Sequence, residues 1–289
     1  MQKKHHLLLT FVLFAILFQS CEQPPIETPN VEGSLSGLFS ISETAQIRFS
    51  QGNLQYQAST ATWRFAENQF DIIGSDNVNI SSTYDGWIDL FGWATSGYEG
   101  SMPYHISDNS ADYGITCANI ASTNYDWGVF NKISNGGNES GIWRLLSPAE
   151  WGYILNFREN ASKLFAVGCV NEVNGLILLP DSCIIPDGIS FRAAVASDSG
   201  SELYRIVNNF NLEEWRRLES VGAVFIPAAG ARLAKRVMHV GIGGYYWTDT
   251  AFEYDSLNVY CMGFDSSRAV WEGLSNRTNG RSVRLVTEK

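Results

Sequence analysis

The chain has 289 residues, with 30 acids against 20 lysines and arginines and a formal net charge of -10. Such a balance argues against nucleic acid or anionic membrane surfaces as partners, because phosphate binding needs clustered cations. Aromatics make up 13% of the residues, including 9 tryptophans, and charged residues only 17%, which excludes a disordered tail and fits an ordered fold with polar, uncharged loops.

Lys3 and Lys4 precede an apolar run from Leu7 to Phe18 broken only by Thr10, the charged-then-apolar order of a secretory signal. The run is too short to span a bilayer, which takes about 20 apolar residues. It ends at Phe18-Gln19-Ser20-Cys21, a small residue directly before a cysteine, and this resembles the loose lipobox of lipoproteins from the Bacteroidota. The resemblance implies removal of residues 1–20 and acylation of Cys21, so that the protein meets the membrane through a lipid anchor. The removed segment carries two lysines and no acids, which leaves about 269 residues with a charge near -12. Residues 21–36 read as a tether: from Glu22 to Glu32 there are three prolines, three glutamates and no periodic apolar pattern. Glu22 beside the cysteine also resembles the acidic signal that sends some such lipoproteins to the outer face. The expected location is therefore the outer membrane, exposed at the surface, with residues 37–289 as one domain.

Short β-type runs open that domain at Leu38 to Ile41, Gln46 to Phe49 and Asn53 to Tyr56, separated by turn residues. From about Gly74 to Gly141 the chain is rich in Gly, Ser, Asn, Asp and Tyr with little periodicity, and Trp87, Trp93 and Trp127 are the anchors expected to order it. Ser147-Pro148-Ala149-Glu150 is a capping box with proline at the first helical position. Trp151, Ile154 and Leu155 then share one face, which predicts a core-packed helix to about Asn160. Leu176 to Leu179 reads as a short buried strand stopped by Pro180-Asp181. A second capping box, Asn211 with Glu214, opens a helix in which Leu212, Trp215 and Leu218 share a face and which Gly222 is placed to end. Strands are then expected at Ala223 to Ile226, Tyr245 to Thr248, Leu257 to Phe264, Ala269 to Trp271 and Ser282 to Val286. The order gives an α+β domain with a small antiparallel sheet, two helices and much irregular structure.

Arg144-Leu145-Leu146-Ser147-Pro148-Ala149-Glu150-Trp151 resembles the Arg-Leu-Pro-Thr-x-x-Glu-Trp stretch of formylglycine-generating-enzyme-like domains, which share the C-type lectin-like fold. Leu146 stands where that family has proline, and Pro148 where it has an acid. Gly244 to Thr250, followed by Asn279-Gly280-Arg281-Ser282-Val283-Arg284, is similar to the closing strands of Bacteroidota and Fibrobacter surface proteins. Weaker similarity lies in Gln51 to Tyr56 and Trp63-Arg64-Phe65. Similar lectin-like domains carry the hypervariable ends of proteins diversified by retroelements, where exposed strands and loops bind ligands. The resemblance thus implies a C-type lectin-like fold and a binding surface near the C-terminus.

The enzymatic members of that family oxidise a substrate cysteine with a cysteine pair near the end of the fold. Here only Cys261 stands there, inside Val259-Tyr260-Cys261-Met262, where a buried structural thiol is expected. Cys117, Cys169 and Cys183 complete the set after Cys21; no C-x-x-C spacing exists, and Cys169 with Cys183 is an open alternative between a disulfide and two free thiols. After export only His105 and His239 remain as bases or ligands, and neither a G-x-S-x-G elbow nor an H-E-x-x-H helix is present. Asp108-x-Ser110-x-Asp112 has the alternation of a calcium loop, but its glycine comes one residue late at Gly114 and Asn119 stands where a closing acid is needed, so it reads as an ordinary polar loop.

No cofactor is expected, and the preferred reading is a non-enzymatic binding protein for a glycan or protein ligand. The alternatives are a formylglycine-generating-like or other envelope enzyme, and a subunit of a surface appendage. From Tyr245 to Arg277 aromatics alternate with polar groups, the mixture of a recognition surface. The candidate ligand-binding residues are Tyr254, Asp255, Asn258, Asp265, Arg268, Trp271, Asn276 and Arg277. Tyr245, Tyr246, Trp247 and Tyr260 are expected in the core of the closing strands.

Overall fold

The computed structural model describes residues 30–79, 81–105 and 118–289. The export segment, Cys21, the first part of the tether, the Asp108–Asp112 loop and Cys117 lie outside the described residues. In chain order the elements are β1 (Phe39–Ser40), β2 (Gln46–Phe49), β3 (Leu54–Gln57), β4 (Thr62–Phe65), α1 (Trp127–Phe130), α2 (Pro148–Gly152), β5 (Phe165–Val170), β6 (Val173–Leu178), α3 (Leu203–Val207), β7 (Asn209–Phe210), α4 (Leu212–Ser220) and β8 (Val224–Pro227). There follow β9 (Ala231–Leu233), β10 (Arg236–Met238), β11 (Gly243–Ala251), β12 (Asn258–Asp265), β13 (Arg268–Asn276) and β14 (Val286–Glu288).

The strands form sheets in the orders β1-β2-β14, β7-β5-β6-β8 and β11-β12-β13, with hairpins β3-β4 and β9-β10. All pairings are antiparallel except β5 with β7. The result is an α+β architecture of small antiparallel sheets. Val286 pairs with Phe49 and Glu288 with Ile47, so the last strand closes on the second. The strand expected at Ser282 to Val286 forms only from Val286; Ser282 makes an isolated bridge to Tyr246.

Both capping boxes form. Ser147 Oγ accepts from the Glu150 amide at 3.2 Å, and Glu150 accepts from the Ser147 amide at 2.7 Å. Arg144 holds Glu150 with two bonds of 2.8 and 3.0 Å and Glu288 at 2.7 Å, tying the start of α2 to β14. Trp151, Ile154 and Leu155 are buried as the spacing predicts. The helix ends earlier than expected: past Gly152 it continues as one π turn, Tyr153–Phe157, and stops at Arg158. The cause is the buried Arg158 guanidinium, which folds back onto the Ile154 carbonyl at 2.7 Å and reaches Asp181 at 2.9 Å. The Asn211–Glu214 box opens α4, with Trp215 and Leu218 buried and Leu212 half-buried. Gly222 ends it at φ +90°, and a Cβ there would lie 2.4 Å from the Gly37 Cα, so two glycines let the chain pass itself at contact distance.

Three hydrophobic clusters fill the interior. One joins Phe39, Phe49, Trp151, Leu176, Val224 and Tyr246. A second gathers Trp63, Trp93, Trp127, Trp143 and Trp247, and a third Val170, Trp215, Leu218 and Phe225. Two of the tryptophans expected to order the irregular stretch do so: Trp93 Nε1 donates to the Thr248 carbonyl at 2.8 Å and Trp127 Nε1 to Thr95 at 3.1 Å. Trp87 instead lies half-exposed, with the Arg64 guanidinium 3.8 Å from its ring centre.

Buried carboxylates organise the same stretch. Asp89 takes the Asn77 side chain at 2.7 Å and the Ile73 amide at 3.0 Å. Asp126 caps α1 through the Gly128 amide at 3.0 Å and takes the Leu145 amide at 2.9 Å. Burial pushes Asp89 up to about 6 and Asp126 up to about 7, against these hydrogen bonds. In the unfolded chain both titrate near 4, so between about pH 4 and 7 the unfolded state loses protons that the folded state keeps. Stability therefore falls as pH rises through that window, by up to about 4 kcal/mol for Asp126, and levels off above it. Asp181 acts in a different window: burial works to raise it, but Ser40, Gln46 and Arg158 outweigh this and hold it low, so its contribution is lost only below the ordinary carboxylate range. Thermal unfolding is expected to show a melting temperature that drops from pH 4.5 to 7 and a shallower drop in Asp126→Asn. A flat or rising wild-type profile would contradict this.

Candidate functional site

The β11-β12-β13 sheet has two unlike faces. Tyr246, Met262 and Phe264 point inward to the first cluster, and α2 packs across that side, where a Cβ on Gly152 would lie 2.9 Å from the Trp271 ring. Tyr245 pairs with Gly263, and Cys261 with Gly273, while a register shift between Cys261 and Gly263 brings Val270 opposite Gly263. The outer face is therefore a groove of about 300 Å³ floored by Gly263, Gly273 and Cys261. Tyr245 and Arg281 line it on one side, Val270 and Leu274 on the other, and Asp265 with Arg268 at the β12–β13 turn.

Glycine is what keeps the floor low. A Cβ on Gly263 would meet ordinary contacts alone, the nearest being the Tyr245 ring at 3.4 Å, whereas one on Gly273 would come within 2.9 Å of the Cys261 carbonyl oxygen. The Tyr245 ring lies beneath the Arg281 guanidinium, 4.6 Å from its centre, and its hydroxyl is 3.4 Å from His239 Nδ1. Burial lowers Arg281, partly offset by Cys261 and Tyr245, and pushes the Cys261 thiol up to about 11. Cys261 is thus a protonated thiol at neutral pH, and a thiol is a poor nucleophile and metal ligand. Cys169 and Cys183 are also free thiols, which resolves the open disulfide alternative for that pair. Among the described residues no group of three His, Cys, Asp or Glu side chains is arranged to hold a metal ion.

The chain matches no protein-family model, no curated protein and no solved structure.

The eight residues expected to bind ligand do not converge. Asp265 and Arg268 lie in the groove, 3.5 Å apart. Burial works to raise Asp265, but the Ser267 hydroxyl and amide and the Arg268 charge outweigh it and hold the carboxyl below its ordinary range. Tyr254, Asp255 and Asn258 sit at the β11–β12 turn, the other end of β12 and about 23 Å away at the rise of a strand. Tyr254 is 80% exposed. Asp255 accepts from the Leu257 amide at 2.9 Å and the Asn258 side chain at 2.6 Å, bracing that turn. The remaining three are framework. Trp271 is half-buried on the inner face, its ring 6.3 Å from that of Phe157. Asn276 accepts from the Thr278 amide and hydroxyl, both at 3.0 Å. Arg277 is buried, and its backbone bonds to Leu257 and Trp93. None of these three lines the groove: β13 runs to Asn276, and Trp271 on it faces the helix.

The groove residues Tyr245, Gly263, Val270, Gly273, Leu274 and Arg281 were not among those expected. Tyr245 is half-buried in the groove wall and Tyr260 is half-buried as well, so the core assignment holds for Tyr246 and Trp247 only. One signal was available: along β13, exposed Arg268, Val270, Glu272 and Leu274 alternate with less exposed residues, the pattern of a strand at the surface.

Proposed function

We propose that the chain is an envelope-anchored, non-enzymatic lipoprotein of C-type lectin-like fold that binds a glycan or protein ligand on the outer face of its C-terminal sheet, at the surface of the outer membrane. The fold reading is supported by the order of elements, strands then helices then strands, with the last strand returned to the second. The functional reading is carried by one observation: two glycines on neighbouring strands open a groove on an otherwise well-packed sheet, and side chains of both polar and apolar kind line it. The oxidase alternative is weakened by Cys261, a buried thiol with no second cysteine in its core cluster.

Gly263→Leu separates binding from folding. Its Cβ meets an ordinary contact, and leucine is better suited to a strand than glycine, so the variant is expected to melt within a few degrees of wild type while its side chain fills the groove. Gly273→Leu is expected to cost about 1–3 kcal/mol, because the Cys261 carbonyl must move. The functional test screens immobilised wild type and Gly263→Leu against panels of glycans and of displayed peptides. Ligands bound by wild type are expected to be lost from Gly263→Leu and kept by Tyr254→Ala. Ligands retained by the filled groove and lost with Tyr254 would move the site to the distal turn.

A further inference from the structure

The polar groups of the groove are unbalanced. Arg281 and Arg268 bring guanidinium donors, while the one carboxylate, Asp265, already accepts the Ser267 amide and hydroxyl at 2.8 and 2.7 Å and faces Arg268. Arg281 is placed differently from Arg268. Its Nε donates to the Ser275 hydroxyl at 3.0 Å, and its terminal nitrogens have no hydrogen-bond partner among the described residues. No carboxylate pairs with it there either. Of its titratable neighbours, Cys261 is held as a neutral thiol by burial, Tyr245 lies under the guanidinium, and Glu272 on β13 is exposed and does not line the groove. A half-buried guanidinium seated on an aromatic ring, with its planar fork unspent, is built for a two-pronged acceptor.

We infer that the groove captures a carboxylate on Arg281, and that this carboxylate belongs to an acidic side chain of a protein ligand; the inference rests on the groove being the binding site. A carboxylate asks only for donors, which the groove supplies. A sugar also brings several hydroxyl donors, and the sole carboxylate here is already engaged. Sugar rings are commonly held by stacking on an aromatic face, but Tyr245 is capped by Arg281 on one side and lies against Gly263 on another. Val270 and Leu274, 37% and 47% exposed, instead offer apolar contact to the residues flanking an acid.

The test selects a phage-displayed random peptide library on the full chain, with Gly263→Leu as the filled-groove control and an array of uronic-acid glycans run beside it. Recovered peptides are expected to share an Asp or Glu next to an apolar residue. Binding of a representative peptide should fall about tenfold to a hundredfold in Arg281→Gln, recover in part in Arg281→Lys, and fall comparably when its acid is replaced by the amide. Both variants are first checked for wild-type thermal unfolding. Peptides without an acid that are nonetheless lost from Gly263→Leu overturn the carboxylate inference and leave the groove standing as a site. Ligands bound equally by Gly263→Leu overturn the groove itself. Binding to the acidic glycans alone, or to neither panel, overturns the protein ligand.

Discussion

Trp247→Ala is expected to cost roughly 3–5 kcal/mol of unfolding free energy, a large part of the 5–15 kcal/mol that holds a typical domain. Trp247 is 1% exposed and fills the second cluster between β11 and the irregular stretch. Its indole donates to the Phe91 carbonyl at 2.7 Å, and its own amide donates to Ser282 at 3.0 Å, so it joins two segments that lack a ladder of their own. Truncation removes the largest side chain type and leaves a void that rigid neighbours, Trp93 and Trp127 among them, do not collapse into. Trp247→Phe keeps most of the volume and loses only the indole bond. The Phe91 carbonyl still accepts the Arg281 amide at 2.9 Å, so the expected cost of that variant is nearer 1–2 kcal/mol. Urea unfolding followed by circular dichroism measures both. Equal stability of Trp247→Ala and wild type would show that the irregular stretch is held by something other than this cluster.

What was legible before the structure were elements whose chemistry is local. Ser147 to Glu150 and Asn211 to Glu214 each write a helix start within four residues, and Gly222 writes a stop, because capping is a contact between near neighbours. The end of α2 was not legible. It depends on Arg158 folding back to Ile154 and across to Asp181, a partner 23 residues on. The β5–β6 hairpin was half missed for a related reason. Its turn, Asn171-Glu172, takes left-handed backbone at both positions, φ 46° and 71°, without the glycine that usually announces such a turn. The site suffered most. Aromatic and polar residues marked the right region, but which of them face outward is decided by the register shift between Cys261 and Gly263, which turns Trp271 toward α2. Arg281 reaches Tyr245 because Ser282 bridges Tyr246 outside any regular strand, so no periodicity foretells that pair. The groove itself is an absence of side chains at Gly263 and Gly273, and two isolated glycines in a sequence say nothing of being neighbours until the strands are paired.

Cys21→Ala is expected to move the protein from the membrane fraction to the soluble fraction outright and to abolish incorporation of labelled palmitate. Among the described residues the other cysteines are enclosed by the fold: Cys169 and Cys261 are buried and Cys183 is half-buried. No helix in the described part of the chain is long and apolar enough to cross a membrane. With its acidic balance of 30 acids to 20 bases, electrostatic adhesion to anionic lipid is unfavourable as well. On the proposed lipoprotein reading, attachment is through acyl chains on Cys21, at about 0.8 kcal/mol for each buried methylene, and an alanine at the acceptor position removes that contribution in one step. Binding of ligand in solution should be unchanged in the variant, because the groove on β11 to β13 is built from residues 245–281. Palmitate uptake that survives in Cys21→Ala would place the lipid elsewhere. Membrane retention without palmitate, in a chain whose residues 1–20 have been removed, would instead mean that a protein partner holds the domain at the envelope.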